Sequence, residues 1–69
     1  MHVAMIICQD NPEIIWNCFR LANLMLEGMD EVTIFLNGPS VRYQALDSEQ
    51  FPINHLAKVF TLSEGTLLA

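Results

Sequence analysis

The sequence predicts a small α/β unit on a parallel sheet, and three observations predict it. Two short, continuous apolar runs, "VAMIIC" at residues 3–8 and "VTIFL" at residues 32–36, have the length and β-branched density of strands. A long amphipathic stretch lies between them, and two strands joined by a helix are almost always parallel with a right-handed crossover. A second helical pattern then ends at Gly65 and leads into "TLLA", the start of a third strand. Strands that read as apolar throughout are expected where helices cover both faces of a sheet, so the expected architecture is three-layer α/β/α. Residues 1–69 form one α/β domain of three strands and two helices.

The elements follow in order. The first strand ends at Cys8, and Gln9-Asp10-Asn11-Pro12-Glu13 contains a helix start. Asn11 or Asp10 is the N-cap, Pro12 occupies the first helical position, and an acid follows where the helix dipole favours one. The helix runs from residue 12 to about residue 27 and closes at Gly28, whose missing Cβ permits a left-handed cap. Its apolar residues make two adjacent stripes, Ile14/Cys18/Leu21/Met25 and Ile15/Phe19/Ala22/Leu26. One stripe suffices to pack on a sheet. The second, with Trp16 at the margin, predicts cover from the side by a neighbouring helix or another subunit, with Trp16 and Phe19 as the expected contact residues.

The second strand is broken by Asn37-Gly38-Pro39-Ser40. Residues 41–50 are polar and weakly patterned, and read as a loop with room for a helical turn around residues 41–46. Pro52 opens the second helix, residues 52–64, whose apolar face is Ile53, Leu56, Ala57, Phe60 and Leu62.

Composition bounds the function. Only Arg20, Arg42 and Lys58 are strong cations in a chain of net charge −5, and phosphate backbones reward clustered Lys and Arg, so nucleic acid is not an expected partner. No apolar run approaches the roughly 18 residues of a membrane span and no signal peptide is recognisable, so the expectation is a cytosolic protein without a membrane segment. Half the residues are apolar in a chain of only 69, more than so small a body hides on its own. That excess predicts self-association or a larger domain. Cys8 and Cys18 come without a second pair or flanking histidines, and read as free thiols rather than a disulfide framework or a zinc site.

Candidate chemistry concentrates at the carboxyl edge of the sheet, where open α/β folds bind ligands. Cys8 lies there beside the N-terminus of a helix, whose dipole stabilises a thiolate, but Asp10 opposes a second negative charge and free cysteines favour the core. Cys18, on an apolar stripe, reads as core. Gln9, Asp10 and Asn11 and the Asn37-Gly38 turn are the loops of this ligand edge; Asn37-Gly38-Pro39 could present backbone N–H groups to an anion, although no dinucleotide fingerprint is present, Pro39 removes one donor and turn statistics favour a plain turn. His2 and His55 have no partner at metal-ligand spacing, so no metal or cofactor is expected. Whether the chain is an enzyme stays open.

Three segments, "VAMIICQDNPE", "EVTIFLNGPSV" and "LSEGTLLA", carry a likeness that spans nearly the whole chain: it resembles the DsrE/DsrF-like family of sulfur-relay proteins, related to the sulfur-carrier subunits of tRNA thiolation. The resemblance implies a flavodoxin-like parallel sheet, assembly into trimers or hexamers, and possible sulfur-relay partners. It also implies a persulfide-carrying cysteine in the loop just after the third strand, immediately past Ala69, so that residues 1–69 correspond to the N-terminal portion of such a domain. The readings are thus a sulfur carrier, a non-catalytic oligomerisation or interaction subunit of a DsrE-like assembly, and, on fold analogy alone, a small-ligand or nucleotide binder.

Overall fold

The computed structural model describes residues 1–69. Along the chain come β1 (His2–Ile7), α1 (Pro12–Glu27), β2 (Glu31–Leu36), a 3₁₀ segment (Gly38–Leu46), α2 (Ile53–Leu62) and β3 (Thr66–Leu68). All three strands are parallel and lie in the order β1-β2-β3. A flavodoxin-like sheet has the order 2-1-3, with the first strand inside. Here β2 is the central strand, which corrects that expectation.

The strand order also decides the layers. Two crossovers of one hand that step the same way across a sheet put both helices on the same face. In agreement, burial alternates along the strands: Val3, Met5 and Ile7 of β1 and Val32, Ile34 and Leu36 of β2 lie under the helices, while Ala4, Ile6 and Phe35 face solvent. The molecule therefore has two layers where the apolar strands had implied three. The core is formed by the covered strand residues with Ile15, Phe19 and Ala22 of α1 and Ile53, Ala57 and Phe60 of α2. At its centre the Phe19 and Phe60 rings meet edge to face, with centroids 6.0 Å apart. Each such ring, fully buried, contributes about 1.5–3 kcal/mol.

Phe19 is thus a core residue with 0% exposure, and the expectation that it lines a subunit contact is wrong. Of the two apolar stripes on α1, the one containing Phe19 faces the sheet. Trp16 is half-buried; its ring packs on Phe51 at 5.4 Å, and the Arg20 guanidinium lies 4.5 Å from its centroid. Most of its surface is already used within the chain.

Both helices end in the same way, and neither uses its glycine as expected. At the end of α1 the Asp30 N–H donates to Met25 O and the Met29 N–H to Leu26 O, both at 3.1 Å. This is the Schellman pattern, whose left-handed residue is Met29 at φ 71°, while Gly28 sits at φ −79°. At the end of α2 the Gly65 N–H donates to Phe60 O at 2.9 Å and the Glu64 N–H to Thr61 O at 3.3 Å, with Glu64 at φ 74°. Gly65 is required for space instead. A Cβ there would lie 2.5–2.6 Å from three carbons of the buried Phe60 ring.

Candidate functional site

The carboxyl edge of the sheet gathers the residues that the sequence singled out. β1 stops at Ile7, one residue earlier than expected, so Cys8 leaves the ladder and its side chain is exposed rather than buried. Gln9, Asp10 and Asn11 follow, all exposed. Asn11 caps α1: its Oδ1 accepts from the N–H groups of Glu13 at 3.0 Å and Ile14 at 3.4 Å. That occupies the donors a bound anion would otherwise meet.

The end of β2 is tied to the end of β1 beside this loop. The Asn37 N–H donates to the Ile7 carbonyl at 2.9 Å. Gly38 takes φ 60°, a left-handed conformation that a residue with a Cβ adopts only under strain, and it packs beside the Cys8 carbonyl. The helical turn expected around residues 41–46 is present as a 3₁₀ segment that begins earlier, at Gly38, and ends at Leu46, and its Ser40 is fully buried. The Ser40 hydroxyl accepts from the Asn37 N–H at 3.0 Å and faces two acceptors for its own proton, the carbonyls of Ile7 and of Asn37 at 2.8 Å. Sequence reading passed over Ser40. The signal available was its position three residues after Asn37, the spacing of a capping turn.

The edge therefore brings Cys8 together with Gly38 and Asn37, but as a hydrogen-bonded corner with no hollow beside it. The three surface hollows lie elsewhere. One of about 250 Å³ is bordered by Tyr43, Asn54, Lys58 and Leu67, one of about 180 Å³ lies between the two helix ends at Met29 and Glu64, and one of about 220 Å³ runs along the α1–α2 groove at Asn23 and Val59. None reaches Cys8. No group of three His, Cys, Asp or Glu side chains could hold a metal. His55 is exposed, and His2 lies 3.6 Å from Glu31 and 3.4 Å from the Thr33 hydroxyl at the far end of the sheet. Cys18 is half-buried rather than core, and desolvation raises its thiol above the ordinary range, which makes it the less reactive of the two thiols.

The larger feature is apolar. On the open face of the sheet Ile6, Phe35 and Leu68 are register partners across all three strands, with 69%, 43% and 46% of their surface exposed. They form one continuous row, with Ala4, Thr33 and Thr66 in the row beside it. On α1 the stripe not used by the core leaves Ile14 and Leu21 exposed and Cys18 and Met25 half-covered. No helix is long and apolar enough to cross a membrane.

No family model, curated protein or solved structure matches the chain. What the geometry offers is a pair of apolar surfaces and one exposed thiol.

Proposed function

We propose that the chain acts as an interaction subunit, an α/β layer completed by association with other protein. The observation that carries this reading is the Ile6-Phe35-Leu68 row, because large apolar side chains lined up across a sheet face are costly in water and mark a protein contact. The absence of any hollow at the carboxyl edge argues against the nucleotide-binding alternative. Light scattering at micromolar concentration is expected to give a mass of at least two chains. A chain that remains a monomer throughout that range refutes the reading.

A second reading, sulfur carriage, is favoured by the exposure of Cys8 at the sheet edge. In it the Cys8 thiolate attacks the outer sulfur of a donor persulfide, a new S–S bond forms on Cys8, and the donor leaves as its thiolate. The electrons balance without a further oxidant. Incubation with a low-molecular-weight persulfide should add one sulfur atom to the intact mass, and Cys8→Ser should abolish the addition. Loading on Cys18 alone would remove this reading.

A further inference from the structure

We infer that the β1 edge and the neighbouring stripe of α1 together form a two-fold contact with a second copy of this chain, giving a continuous six-stranded sheet. The inference deepens the interaction-subunit reading and rests on it. Both outer strands of the sheet are unpaired on one side, but they differ. β3 is only three residues long, whereas β1 offers six. Exposed edges are normally blunted by shortness, Lys, Pro or a bulge. From His2 to Ile7 there is no Lys, Pro, Asp or Glu, and the register with β2 runs without interruption.

The free hydrogen-bonding groups can be assigned. Glu31 N–H donates to Met1 O and Asn37 N–H to Ile7 O, each at 2.9 Å, so the odd-numbered residues of β1 direct their backbone groups at β2. In a parallel ladder the intervening residues point the opposite way. His2, Ala4 and Ile6 therefore present their N–H and C=O groups to the open edge.

Antiparallel pairing about a two-fold axis at Ala4 would match Ala4 with itself and His2 with Ile6 through these groups. Val3 and Met5 would face each other on the helix side. No like charges meet along this ladder, in a molecule whose net charge is −5.

The helices supply the argument for a second copy rather than any extended peptide. Asn23 on one flank of α1 donates to the Leu56 carbonyl of α2 at 3.2 Å, which places α2 on that side. By helical spacing Ile14, Cys18, Leu21 and Met25 lie on the opposite flank, the side away from α2 and toward β1. A bare strand docked on β1 would leave this stripe in water. A symmetry-related copy covers it with its own α1. Strands spaced about 4.8 Å apart, with each α1 resting on both β1 and β2, put the two helices about 10 Å apart. Packed helices lie about 8–10 Å apart, so both layers close together. A contact of one strand edge and one helix stripe falls at the small end of specific interfaces, near 1,200 Å² in total, and implies a reversible dimer.

Sedimentation velocity on the whole chain across the micromolar range tests this with three variants. Ala4→Pro removes one outward N–H and leaves the β2 ladder intact, Leu21→Glu puts a charge on the helix stripe at a half-exposed position, and Phe35→Glu charges the open sheet face away from the contact. The expected result is a dimer for the parent and for Phe35→Glu, with association weakened at least tenfold in Ala4→Pro and Leu21→Glu at unchanged far-UV circular dichroism. In a Cys8→Ser background, a short bismaleimide should join Cys18 of the two copies. A species that Phe35→Glu dissolves while Ala4→Pro and Leu21→Glu leave it whole overturns this contact but not the subunit reading. A monomer throughout removes both.

Discussion

Adjacent substitutions at the end of α2 should act in opposite directions. Gly65→Ala places a Cβ 2.5–2.6 Å from three carbons of the Phe60 ring, far inside ordinary contact. The ring is fully buried and held edge-on by Phe19, so it has nowhere to swing without disturbing the core. Overpacking of this kind costs about 1–3 kcal/mol. Glu64→Gly relieves a left-handed backbone at φ 74°, which costs a residue with a Cβ about 1–2 kcal/mol. Glycine's greater freedom in the unfolded chain returns about 0.5–1 kcal/mol of that. Glu64 makes no recorded hydrogen bond or salt bridge through its side chain, so the net gain should be roughly 0.5–1 kcal/mol. In a domain of this size 1 kcal/mol moves the melting temperature by about 4–8 °C. Thermal unfolding followed by circular dichroism should show Gly65→Ala melting well below the parent and Glu64→Gly a few degrees above it. A neutral Gly65→Ala would show that the close approach to Phe60 is misassigned, and a destabilised Glu64→Gly would refute the backbone strain given to Glu64.

Two further outcomes follow from the same physical chemistry. Ser40→Ala removes the hydroxyl's bonds to the Asn37 N–H and the Ile7 carbonyl, which keep only their bond to each other; a loss of this kind costs about 0.5–1.5 kcal/mol, to be read from urea unfolding, and an unchanged midpoint would refute the role given to Ser40. Cys8 should react with a maleimide at close to the unfolded rate and Cys18 much more slowly; because the folded Cys18 thiol is raised, the unfolded chain ionises it first, so its contribution to stability is complete below the ordinary thiol range and falls as pH rises through it, an effect that Cys18→Ala should remove.

The order of elements was readable because apolar spacing reports it directly. The helix starting at Pro12 and the strands near residues 3 and 32 are where the pattern places them. The number of layers was not readable, for a specific reason. In β1 both the covered residues Val3, Met5 and Ile7 and the open ones Ala4 and Ile6 are apolar, so the period of two that marks a one-sided sheet is masked. Phe19 was misplaced because α1 carries two apolar stripes, and composition alone does not say which one meets the sheet. The left-handed residues Met29 and Glu64 were hidden by glycines one position away, each of which looked like a sufficient cap. At the carboxyl edge, Cys8 was placed by residue-type preference, which a strand ending one residue early is enough to reverse. Ser40 closes the Asn37-Gly38-Pro39-Ser40 break, whose residue types report a turn but not which of its side chains is buried.

Because β2 lies in the middle of a sheet ordered β1-β2-β3, it belongs to two overlapping βαβ units at once, one closed by α1 and the other by α2. Each pairing spans a single crossover, so neither unit must wait for the other to close its loop. The chain thus has two alternative routes into the native state that share one strand. Either half can nucleate, but both need Ile34, fully buried at the centre of β2. Slowing one route by a change in α1 or α2 should leave the other open, whereas a truncation at Ile34 should retard refolding by every route. The central strand is therefore the one element that both routes share.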